Sequence, residues 1–173
     1  MNRQIIFLSD LYGSAKKHYF DLYLADFQKD YRCLFLDSCV LGEIHCSPFD
    51  KEKVHRQFVE GGIERAAKVL LDYRKEDSIV VGFSVGGVIG WKSLVMSSSP
   101  NPLFALSSTR LRYEMDRPKG RISLLFGQND PFKPSKEWSE VLGGSADCIP
   151  DENHEVYKKQ TGLRWLREQI DLL

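Results

Sequence analysis

The chain has 173 residues, 42% of them hydrophobic and 28% charged, which fits one soluble folded unit long enough to bury a core and argues against wholesale disorder. Its 24 basic and 24 acidic side chains cancel. That balance gives no electrostatic footprint for nucleic acid or for an anionic membrane surface.

The elements alternate along the chain. Ile5 to Leu8 is a short apolar run closed by Ser9-Asp10 and Gly13, and reads as a buried strand. From Ala15 to Phe27 the residues Tyr19, Phe20, Tyr23, Leu24 and Phe27 recur at helical spacing. Tyr31 to Leu36 predicts a second strand, and Ser38 to Asp50, punctuated by Gly42 and Pro48, predicts a loop. Val54 to Tyr73 predicts a helix, with Gly61-Gly62 marking a kink or a close packing contact. Ser78 to Phe83 reads as a strand and Val85 to Met96 as a helix. Leu103 to Ser107 and Ile122 to Phe126 read as strands on either side of a polar connector, Thr109 to Met115. Pro134 to Leu142 predicts a short helix, Asp147 to Ile149 a last short strand, and Val156 to Leu173 a terminal amphipathic helix.

Strands that alternate with helices argue for a three-layer α/β/α sandwich, with a mainly parallel sheet of about six strands, spanning residues 1–173 as a single domain. Ligands of such sheets bind outside the carboxyl ends of the strands. Those ends carry Ser9-Asp10, Asp37, Ser84, Ser107-Ser108, Asn129-Asp130 and, after the last strand, His154.

The stretch SIVVGFSVGG contains Gly82-Phe83-Ser84-Val85-Gly86, a G-x-S-x-G pattern between a strand and an apolar helix. On a sharp turn of this kind, small residues at Gly82 and Gly86 let the two backbones approach while the serine stays exposed. The helix N-terminus then aims N–H groups at a developing oxyanion. A serine hydroxyl needs a base, and the base needs an orienting carboxylate. Asp130 stands just past a strand in Gly127-Gln128-Asn129-Asp130-Pro131, and His154 stands between the last strand and the last helix. His18 and His55 fall within predicted helices, and His45 precedes the serine. Taken singly, Asp130 reads as a turn aspartate and His154 as a surface histidine. Taken together, serine, acid and histidine arrive in that order, each at the end of a successive sheet element.

On these motifs the chain resembles a small, lidless member of the α/β-hydrolase superfamily over nearly its whole length. The resemblance implies Ser84 as nucleophile, His154 as base and Asp130 as its orienting acid. It also implies an oxyanion hole formed by the backbone N–H groups of Leu11 and Val85. The family's first strand commonly ends in a His-Gly-x-Gly-like loop, whereas this chain has Ser9 and Asp10 in place of the first two residues. The connector from Arg110 to Lys119 leaves little room for the family's lid, which implies an open site.

The implied activity is cleavage of a small ester or thioester through an acyl-enzyme, with a small-molecule acyl substrate and no cofactor. Acyl transfer on the same residues and a non-catalytic binding or scaffold role are the alternatives. Arg110, Arg112 and Lys133 read first as solvated loop charges, with an anionic substrate as the alternative. A dinucleotide cradle lacks its middle glycine, and no G-K-[ST] follows for a P-loop. The cysteines Cys33, Cys39, Cys46 and Cys148 form no C-x-x-C pair, so reduced thiols and no metal site are expected. The segment from Ile79 to Met96 divides into strand, turn and helix rather than a membrane span. With no export signal legible, the expected location is cytoplasmic; the oligomeric state is left open.

Overall fold

The structure, a computed structural model, describes residues 3–142 and 145–173. Its centre is a six-stranded sheet built from β1 (Gln4–Leu8), β2 (Arg32–Leu36), β3 (Ile79–Phe83), β4 (Leu103–Leu106), β5 (Ile122–Gly127) and β6 (Ser145–Ile149). The order across the sheet is β2-β1-β3-β4-β5-β6, and every neighbouring pair is parallel. Helices are α1 (His18–Phe27), α2 (Ser38–Leu41), α3 (Lys51–Gln57), α4 (Ile63–Leu70), α5 (Val85–Ser97), α6 (Lys136–Leu142) and α7 (Gln160–Ile170).

Alternation along the strands supplies two cores. Ile6, Leu8, Val80, Ala105 and Leu124 face one side, against Val54, Ala66, Leu70, Ile89 and Trp91. Ile5, Phe7, Val81, Phe83 and Leu125 face the other, against Phe20, Tyr23, Phe27 and Leu166. Thus α1 and α7 cover one face, and α3, α4 and α5 the other. This is the expected three-layer sandwich. The strands are continuous apolar runs because both faces are buried. No helix among the described residues is long and apolar enough to cross a membrane.

Four stretches differ from the sequence expectation. The predicted loop 38–50 begins with α2, because the Asp37 side chain accepts from Cys39 and Val40 N–H and caps a short helix. Asp50 likewise accepts from Glu52 and Lys53 N–H, which starts the next helix at Lys51 rather than Val54. The predicted long helix is then broken into α3 and α4 at Phe58–Gly62, where Gly61 takes φ 122°. Both readings of the glycine pair hold, since a Cβ on Gly62 would come within 2.6 Å of Ile44 Cδ1. The polar connector forms a 3-10 turn at Thr109–Tyr113. It is fastened by Trp91 Nε1, which donates to Asp116 O (2.8 Å), and by Trp138 Nε1, which donates to Glu114 O (3.0 Å). The terminal helix starts at Gln160, after a separate 3-10 turn at His154–Lys158.

Candidate active site

Ser84 follows the last residue of β3 and precedes α5, with φ 53° and ψ −115°. A non-glycine residue with this positive φ is strained, and the neighbouring packing has to hold it there. Gly82 and Gly86 permit it. A Cβ on Gly82 would run into the Gly87 backbone, and one on Gly86 would lie 2.5 Å from Leu8 O. Strand β3, helix α5 and the end of β1 therefore meet closer than any side chain would allow.

Asp130 sits in the turn after β5, fully buried, where its own N–H donates to Gly127 O (3.1 Å). Its Oδ1 accepts from Phe132 N–H (3.0 Å), and its Oδ2 lies 2.7 Å from His154 Nδ1. Burial pushes this carboxyl up, but the His154 hydrogen bond, the Phe132 N–H and the electrostatic attraction of His154 and Lys133 outweigh it. The net shift is below the usual carboxylate range. An ionised Asp130 fixes the proton on His154 Nδ1, so Nε2 presents its lone pair to Ser84 Oγ at 3.1 Å.

The loop carrying His154 is tied to the loop carrying Asp130. Asn129 N–H donates to Glu152 O (2.8 Å), and Gln128 N–H donates to Ile149 O (2.9 Å). Asn153 caps the following turn by accepting from Glu155 N–H (2.9 Å). The three sequence-predicted residues are thus brought into one hydrogen-bonded line, Ser84–His154–Asp130.

Leu11 and Val85 both line the same cavity as Ser84. Among the described residues, neither backbone N–H donates to a protein acceptor. The Ser9-Asp10 departure has a structural explanation. Ser9 Oγ accepts from Ser38 N–H (2.8 Å) while Ser38 Oγ donates to Ser9 O (2.7 Å), which pins the end of β1 to α2. Asp10, 1% exposed, accepts from Tyr157 OH through Oδ2 (2.8 Å) and from Tyr12 N–H through Oδ1 (3.0 Å). Its own N–H donates to Tyr19 Oη (3.3 Å). The acid braces this loop from beneath. Burial pushes the Asp10 carboxyl above its ordinary value, against the lowering effect of Tyr157, the Tyr12 N–H, Lys158 and His154.

The cavity encloses about 460 Å³, with Phe58, Val85, Phe132 and Tyr157 among its apolar walls. Tyr157 and Phe58 were not singled out by sequence reasoning. Periodicity marks them only as core, and the Tyr157–Asp10 contact joins residues 147 positions apart. Of the three loop cations, Arg110 lines the cavity and the other two are engaged elsewhere. Arg112 Nη1 donates to Thr109 O (2.8 Å) and Phe132 O (3.1 Å), while Lys133 Nζ donates to Gln128 O (2.7 Å). Among the described residues no cluster of three or more His, Cys, Asp or Glu is placed to hold a metal, and all four cysteines are free.

No protein-family model matches the chain, and no curated protein matches it in sequence. Solved structures do match in shape. A protein of Xanthomonas campestris pv. campestris assigned to the alpha/beta hydrolase superfamily superposes with a TM-score of 0.72 at 14% identity, covering 100% of both chains. A CIB-like hydrolase, so named by prediction, from Thermoplasma acidophilum gives 0.70 at 19% identity, over 98% of this chain and 85% of that one. The RedJ thioesterase of the prodiginine pathway in Streptomyces coelicolor gives 0.61 at 12% identity, over 98% and 85%. With an all-parallel sheet covered on both faces and these neighbours, the chain has the fold of the α/β-hydrolases.

Proposed function

We propose that the protein is a serine hydrolase that cleaves a small ester or thioester through an acyl-enzyme on Ser84. The observation that carries this reading is the line from Ser84 Oγ to His154 Nε2 (3.1 Å) and from His154 Nδ1 to Asp130 Oδ2 (2.7 Å), which starts at a positive-φ turn. In this reading His154 takes the Ser84 proton as Oγ attacks the carbonyl carbon. Asp130 holds the imidazole in its Nδ1–H tautomer and stabilises the imidazolium that forms. The tetrahedral oxyanion is met by the N–H groups of Val85 and Leu11, neither of which donates to an acceptor among the described residues. His154 then protonates the leaving alcohol or thiol. A water deprotonated by His154 releases the acid and restores Ser84.

The structural neighbours that are named as hydrolases, one of them a thioesterase, support this reading. Labelling with a fluorophosphonate probe tests it. Stoichiometric labelling of the intact protein is expected, with none in Ser84→Ala and a loss of at least about a thousandfold in labelling rate in His154→Ala. A folded protein that does not label would leave a binding role on a hydrolase fold as the better account.

A further inference from the structure

We propose that the substrate carries an anionic group, a carboxylate or a phosphate, which Lys51, His55 and Arg110 bind in the Ser84 cavity. The inference rests on the hydrolase reading and names its substrate class.

These three side chains come from two separate elements and converge on one concavity. Lys51 and His55 stand one helical turn apart on α3, and Arg110 comes from the turn after β4. All three line the cavity that holds Ser84 and His154. His55 also senses the other two. Partial burial, then the positive charges of Arg110, Lys51 and Arg112, hold His55 below the usual histidine value.

The cavity's acidic residues offer them no counter-charge. Asp130 is occupied by His154, Asp10 by Tyr157, and Glu155 by Lys158 at 2.6 Å. Among the described residues neither Lys51 nor Arg110 forms an ion pair. The contrast with their neighbours is direct. Lys53, on the same helix, pairs with Asp50 at 3.8 Å, and Lys92 bridges Glu64 and Glu114 at 3.3 and 3.2 Å. In a chain whose charges cancel overall, positive charge left uncompensated beside apolar walls and a nucleophile is matched by an anion on the substrate. The Arg110 guanidinium packs over the Tyr113 ring at 4.9 Å, which limits its freedom and lowers the entropy lost on binding.

Two matched ester pairs test the proposal. The first sets 4-nitrophenyl butyrate against mono-4-nitrophenyl glutarate, where the added charge is an acyl-side carboxylate. The second sets phenyl butyrate against 4-(butyryloxy)phenyl phosphate, where it is a phosphate on the leaving group. In at least one pair the anionic ester is expected to have kcat/KM higher by about tenfold or more, an advantage that shrinks as salt is raised. In Lys51→Glu/Arg110→Glu the anionic-to-neutral ratio is expected to fall to about one or below. In Lys53→Glu the ratio is expected to stay as in the wild type.

Equal or lower kcat/KM for the anionic member of both pairs would overturn the proposal, as would a ratio insensitive to the double reversal in folded protein. Calorimetric binding of the same four esters to Ser84→Ala separates this question from catalysis. Anion-selective binding without turnover in the wild type would sink the hydrolase reading and sustain the anion site. Turnover without anion selectivity would do the reverse.

Discussion

At the scale of single residues, Asp130 and Asp10 show how burial alone fails to set a carboxyl's character. Both are almost completely buried, yet Asp130 is held below the usual range and Asp10 above it. The difference lies in partners. Asp130 faces an imidazole and a backbone N–H, while Asp10 faces the Tyr157 hydroxyl and the Tyr12 N–H, with charged partners entering only as smaller contributions. Because the folded Asp10 value lies above its ordinary 3.8, the folded state binds the proton more tightly than the unfolded chain does. Its contribution to stability is full below 3.8 and is lost as pH rises through the folded value. Asp10→Asn removes the ionisation. The melting temperature of the variant, relative to wild type, is therefore expected to be more favourable at pH 8 than at pH 4. Thermal melts at both values check it, and a difference independent of pH would refute the account. Asp10 was legible in the sequence as a departure from a family pattern, but its role was not. Tyr157, which holds it, lies on another loop entirely.

At the scale of elements, caps and glycines decided where helices begin and end. Asp37 caps α2 through Oδ1 and accepts from Ser14 N–H through Oδ2 (2.6 Å), so one carboxylate joins α2 to the loop after β1. That loop carries Leu11. Asp37→Ala is expected to destabilise the protein by about 1–2 kcal/mol, read as a lower urea midpoint at unchanged slope. Hydrophobic periodicity located the strands and the long helices, because a buried strand and an amphipathic helix write their faces directly into the residue order. It did not locate α2 or the break between α3 and α4. A short capped helix offers too few apolar positions, and the break was marked instead by the Gly61-Gly62 pair, where Gly61 takes φ 122°.

At the scale of the whole molecule, Phe83 connects the fold to the candidate site. It immediately precedes Ser84, is fully buried, and packs against Phe7, Tyr19, Tyr23 and Tyr157, with ring centroids between 4.8 and 6.2 Å apart. Tyr23 donates to Tyr157 O at 2.6 Å, so the same aromatic layer seats the turn that carries His154. Phe83→Ala is expected to cost about 3–5 kcal/mol, a large share of the stability of an ordinary domain. Chemical denaturation measures it, and a loss below 1 kcal/mol would show that the layer tolerates the cavity.

The residue order by itself determined the alternation of strands and helices, the serine turn, and the succession of Ser84, Asp130 and His154 at strand ends. Each of these is a local pattern of apolar spacing, glycine and turn residues. Only the tertiary structure decided that His154, 70 residues from Ser84, lies within hydrogen-bond reach of it. The same is true of Asp10 beneath the loop after β1 and of Lys51, His55 and Arg110 around one cavity. Parallel strands in the order β2-β1-β3-β4-β5-β6 place their carboxyl ends along one edge, and loops distant in sequence become neighbours there. No local pattern encodes that proximity, because it comes from how the whole sheet is stacked.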